Sequence, residues 1–252
     1  MKLETLENIR TNAETIFGEK PEKIDLISQM SFDKVLEIET NEVWKKIIVG
    51  KADVDIAKLI QRLSINDWIN KGREYIEDKT CPFCQQETIT DNFKNQLESY
   101  FDETYLTDIK QLNALKQEYN DLTQNIINQL NGIETNQKSL SNTKLDVDKF
   151  SAYLKTLVSQ NATNNEILNN KVKEPSRKID LISIKDQLDL IMNLIKSANI
   201  EIKKHNDIVE NYTASRASLI KVIWKYLIEE YNTEISEYNT KKNGLEKIYM
   251  CL

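Results

Sequence analysis

The sequence predicts a mainly α-helical protein: a long antiparallel coiled-coil hairpin, a small helical N-terminal region with a minor β component, and a C-x-x-C hook. Three observations carry that prediction. Only five glycines and three prolines occur in 252 residues, which leaves few turns and therefore long regular elements. Apolar residues recur at three-four spacing over most of the second half. Cys81-Pro82-Phe83-Cys84 interrupts the helical pattern with two thiols three residues apart.

From Leu3 to Ile16 the apolar positions Leu3, Leu6, Ile9, Ala13 and Ile16 fall on one helical face, and Gly18 follows as a stop. Pro21 suits the first turn of a second short helix. Val35 to Glu39 and Trp44 to Val49 are rich in β-branched or large apolar residues around Thr40-Asn41-Glu42, so a small hairpin or two extended segments is expected there. Gly50-Lys51-Ala52 is a poor phosphate loop, because the upstream glycine of G-x-x-x-x-G-K is missing and no Ser or Thr follows the lysine. Ile56 to Leu63 and Ile65 to Ile76 then read as helix up to the cysteines. This makes residues 1–80 a small, mainly helical region and 81–90 a separate turn.

Beyond the turn, Thr90 or Asp91 can cap a helix whose stripe runs Leu112, Leu115, Tyr119, Leu122, Ile126 and Ile133. It becomes polar around Asn142-Thr143, resumes at Phe150, Leu154, Leu157 and Val158, and returns after Pro175 from Ile184 to Tyr226. Pro175 pushes its predecessor out of helical geometry, so residues 91–252 are expected to form an arm that turns near 173–176. The two halves, 82 and 74 residues long, would reach on the order of 110–120 Å as straight helices. A further turn near Asn142 would divide them into shorter helices.

The net charge of −6 offers no general attraction for nucleic acid or anionic membranes, and no run of 18 apolar residues exists. A cytoplasmic protein with no membrane partner is expected. Lys171, Lys173, Arg177 and Lys178, and Lys241-Lys242, are interrupted by acids or polar residues and read as solvated helix faces, which leaves nucleic-acid contact uncertain. Trp44, Trp68 and Trp224 read as core and seam residues. With one histidine, no glycine-rich phosphate cradle and no paired carboxylates in a loop, acid–base or phosphoryl-transfer catalysis has little to work with, and no enzyme activity is expected of this chain.

Chemistry is therefore expected at Cys81 and Cys84. Two close thiols on a turn can converge on one soft metal ion, with zinc preferred over iron. Two thiolates are half of a tetrahedral structural site. His205 and Cys251 are the other candidates within the chain, but His205 falls on the coiled-coil stripe, and a second chain supplying the same pair is the economical source. That makes a homodimer sharing Zn2+. A thiol–disulfide oxidoreductase resembling glutaredoxins at C-P-aromatic-C, and a metal-free coiled-coil module with two buried thiols, are the other two readings.

The succession Ile48-Val49-Gly50-Lys51, Asp67-Trp68-Ile69-Asn70-Lys71-Gly72 and Cys81-Pro82-Phe83-Cys84-Gln85-Gln86 resembles the middle of bacterial ABC/SMC-like ATPases of the RloC/PrrC anticodon-nuclease group. Lys204 to Asn211, with Trp224 following, is similar to their descending coiled coil. The resemblance implies an ATPase head split by a long insertion, thiols that pair two molecules through zinc, and a tRNA-cutting domain used in phage defence. These 252 residues carry no Walker A loop, signature motif or Walker B strand. They correspond to the inserted arm, with the parent's ATPase heads as its partners and Cys81 and Cys84 as the positions that carry over as metal ligands.

Overall fold

The computed structural model describes residues 5–18 and 22–250, with side chains to residue 246; Cys251 and Pro21 lie outside them. Ten α-helices and two short 3-10 turns make up the regular structure of the described residues. The chain divides into two compact units, Gln29–Leu194 and a unit formed by its two ends, Met1–Ser28 with Ile195–Leu252.

In the larger unit, α2 (Asp33–Glu39) and a 3-10 turn at Glu42–Trp44 occupy the stretch expected to be a β-hairpin. The β-branched residues are overruled by a tertiary contact. Val35 and Ile38 lie one helical turn apart and are buried, and α2 packs on α6 (Glu103–Ser139). The Thr40 hydroxyl closes the helix by donating to the Leu36 and Glu37 carbonyls, each at 3.2 Å. Helix does not run unbroken to the cysteines either. Ser64, at φ 53°, separates α3 (Ala57–Leu63) from α4 (Asn66–Gly72), and a 3-10 turn at Arg73–Tyr75 follows.

After α5 (Asp91–Tyr100), whose N-cap Thr90 accepts from the Phe93 amide at 3.2 Å, α6 packs along α7 (Val147–Lys173) as an antiparallel pair. The pair turns at residues 140–146, the break that the polar stretch around Asn142 allows. Thr143 donates to Gln137 Oε1 at 2.7 Å, and Asp146 caps α7 by accepting from the Lys149 amide at 3.1 Å. On α7 the buried positions Phe150, Leu154, Leu157, Asn161, Asn164, Leu168 and Lys171 keep strict four-three spacing, so one seam runs the whole helix.

Residues 174–184 run without helix between α7 and α8 (Lys185–Glu210), and polar seam residues hold them. Asn164 uses its amide in both directions on Ile182, donating to its carbonyl at 2.7 Å and accepting from its N–H at 2.8 Å. Backbone bonds tie the segment to the N-terminal part of the unit, from Ile48 N–H to Pro175 and from Ile179 N–H to Trp44. Lys171 is fully buried, contrary to its reading as part of a solvated face. Its ammonium donates to the carbonyls of Lys46 at 2.6 Å, Pro175 at 2.9 Å and Arg177, and burial lowers its pKa.

Glu39, half-buried, accepts from Tyr119 and the Ile184 amide, both at 3.2 Å, and from Ser183 at 3.0 Å. Burial raises its pKa above the ordinary value of 4.5, and the three hydrogen bonds oppose that rise. A carboxyl held more tightly protonated when folded favours the fold at low pH, and that contribution is lost as pH rises from 4.5 through the raised value. Glu39→Gln should therefore match the parent in acid, where both carry a neutral side chain, and become relatively more stable above it. Urea titrations from pH 4 to 7 check this; an unchanged difference between the two proteins would refute it.

In the smaller unit α1 (Leu6–Phe17) packs on α9 (Tyr212–Glu230), burying Ile9, Ile16 and Leu219 with Ala13, Val222, Ile223 and Tyr226 against them. The extended residues 22–27 are held along α8. Asn206 pairs in both directions with the Ile24 backbone, and Asn199 does the same with Ile27, at 2.8–2.9 Å. His205 uses Nε2 on the Glu22 carbonyl at 2.9 Å, so it fixes this segment rather than filling a helix–helix seam. Trp44 is buried, but Trp68 and Trp224, expected in core and seam, are about 60% exposed. α10 (Asn232–Met250) ends the described chain.

Candidate metal centre at the Cys81–Cys84 turn

The cysteines lie on a tight turn closed by backbone bonds. Thr80 and Glu87 form an antiparallel bridge, Cys81 N–H donates to the Gln86 carbonyl at 2.8 Å, and Gln85 N–H returns to the Cys81 carbonyl at 2.9 Å. Gln85 adopts φ 57°, the left-handed conformation that lets the chain reverse directly after Cys84. Ile89 N–H donating to Lys79 and the Lys79–Asp91 ion pair at 2.9 Å anchor the base of the turn.

This fold of the backbone acts on the sulfurs. Hydrogen bonding from the Cys84 and Phe83 backbone, with smaller help from the Cys84 and Thr88 side chains, holds the Cys81 pKa below the ordinary thiol value of 9.0. Cys84 Sγ lies 3.9 Å from the Thr88 hydroxyl. Cys81 is partly exposed and Cys84 exposed, so the buried-thiol reading does not describe them. The structure thus brings Cys81 and Cys84 together. It gives His205 a backbone partner, and Cys251 is outside the described residues. Among the described residues no three His, Cys, Asp or Glu side chains form a metal-binding group.

Beside the thiols lies a feature the sequence reading missed. Phe83, 72% exposed, stacks on Trp68 of α4 with ring centroids 5.5 Å apart and planes 27° from parallel. A cavity of about 190 Å³ opens next to them, lined by Ile69, Ile76, Ile89 and Leu97 together with Cys81. An aromatic residue between the two cysteines and a tryptophan in the helix before them were the available signal.

Gly50 and Lys51, the superficial phosphate loop, are engaged in the fold. The Gly50 amide donates to Asn66 Oδ1 at 3.2 Å and the Lys51 amide to the Tyr100 carbonyl at 2.8 Å. A Cβ at position 50 would fall 2.3 Å from the Tyr100 ring, so the glycine serves close packing.

A family described as an AAA domain matches residues 1–250. The chain belongs to this AAA-domain family. Its relationship is thereby to ATPase-type, SMC-like proteins, in keeping with the long α6–α7 hairpin. No curated protein and no solved structure matches it. In this AAA-domain chain the free thiols among the described residues are Cys81, partly exposed, and Cys84, exposed, and no helix of those residues is long and apolar enough to cross a membrane.

Proposed function

We propose that the chain is a connector of an SMC-like ATPase of the RloC/PrrC anticodon-nuclease group, a zinc hook and coiled-coil arm that pairs two copies in the cytoplasm. One observation carries this reading: two free thiols three residues apart lie at the surface on one turn that backbone hydrogen bonds close. Cys81 and Cys84 fit half of a closed tetrahedral site, in which zinc would supply a structural cross-link and no reaction step. A second copy would complete it. The helical arm would then relay movement between the junction and the parent's ATPase heads in a phage-defence nuclease, the chain itself being no enzyme.

Metal content and native mass, measured before and after chelation, test the proposal. One zinc per two chains, in a dimer that a chelator separates, is the expected result. One tightly held zinc in a monomer would overturn it. A monomer that instead forms a reversible Cys81–Cys84 disulfide would assign the pair to thiol exchange.

A further inference from the structure

The Trp68–Phe83 stack needs an explanation that folding of one chain does not give. Both rings are mostly in water although each could bury a large apolar area, and they lie at the mouth of a cavity that Cys81 itself lines. Phe83 is fixed between the two cysteines, so whatever approaches the thiols approaches the stack.

Resting on the zinc-pairing reading above, we propose that this apolar surface is the docking site for the same surface of a second copy. Chemistry dictates the occupant. Four thiolates around one zinc ion lie within about 4 Å of one another, given metal–sulfur bonds of about 2.3 Å. Two chains that each donate Cys81 and Cys84 must therefore bring their intervening Phe83 residues against each other's turn. A two-fold arrangement applies one surface to itself, which requires self-complementarity. Charges of both signs ring the turn: Lys71 pairs with Glu74 and Lys79 with Asp91, Arg73 lies 4.5 Å over the Phe101 ring, and Glu77, Asp78 and Glu87 are exposed beside them. Acids and bases are thus interspersed around an apolar centre, which lets the surface face a copy of itself. The zinc fixes the register of the two turns, and the rings exclude water from the thiolates.

Trp68→Ser tests this without altering either cysteine or the backbone bonds that close their turn, with Trp68→Phe as the conservative control. The dimer dissociation constant is measured by sedimentation at saturating zinc, zinc per chain by mass spectrometry, and folding by thermal unfolding. Expected for Trp68→Ser is an unchanged melting temperature, one zinc per two chains at concentrations that enforce pairing, and a dissociation constant raised on the order of 100-fold, since each dimer loses the ring twice. Trp68→Phe should remain within about tenfold of the parent. A Trp68→Ser dimer as tight as the parent's would overturn the docking surface while the zinc junction stands. A parent chain with no zinc-dependent dimer would overturn both.

Discussion

Lys171→Met should destabilise the larger unit by about 3 kcal/mol. Methionine keeps most of the stem length and its apolar contacts, so the loss isolates the ammonium. That group donates to three backbone carbonyls from separate stretches: Lys46 before α3, and Pro175 and Arg177 in the segment after α7. Pro175 also accepts from the Ile48 amide and would remain partnered. The Lys46 and Arg177 carbonyls would lose a charged donor at the partly buried edge of the site. Against this stands the relief of desolvation, the effect that lowers the lysine's pKa. Neutral carbonyls left without their charged donor ordinarily cost more than that relief returns, because each loses a hydrogen bond that the fold was built around. Denaturant unfolding followed by circular dichroism should show the loss as a shifted midpoint with unchanged slope. A change below about 1 kcal/mol would mean that water or a shifted carbonyl replaces the ammonium.

The same lysine shows where the sequence stopped being legible. Helix class followed from glycine and proline scarcity and from three-four spacing, both backbone-scale signals. The α7 seam was read only as far as Val158 because three of the four seam positions beyond it, Asn161, Asn164 and Lys171, are polar residues that hydropathy alone assigns to solvent, which leaves Leu168 isolated. Extending the four-three count through them would have found the seam. It would not have shown that Asn164 and Lys171 hold the backbone of 175–182, since such partners come from long-range packing. Val35 and Ile38 misled in the opposite direction. Their β-branched character fits a strand, yet one-turn spacing and burial beside α6 decide for helix. At the candidate site, Cys81 and Cys84 were legible because thiol spacing is chemistry independent of fold. Trp68 was read as core because large aromatic residues usually are, and nothing in one sequence separates a core ring from one at an interface.

Cys81→Ser with Cys84→Ser should abolish zinc binding and the zinc-dependent dimer together while leaving the fold intact. Serine is close in size to cysteine and, like it, offers an acceptor to the neighbouring backbone. At position 84 the 3.9 Å contact with Thr88 is lost, because oxygen on a shorter bond does not reach it, but a thiol at that distance is a weak partner. The backbone bonds between Cys81, Gln85 and Gln86 use no side chain. The melting temperature of the metal-free protein should therefore move little. What disappears is the soft, anionic donor: a neutral hydroxyl does not replace a thiolate on zinc, and symmetry removes all four ligands of the junction at once. Zinc affinity should fall by several orders of magnitude, because most of the free energy of a structural zinc site resides in those bonds. Zinc content, native mass and thermal unfolding on one preparation check all three parts. A double variant that still pairs on addition of zinc would place the junction elsewhere in the chain. A variant that loses its melting transition even without metal would make the thiols part of the fold rather than of an interface.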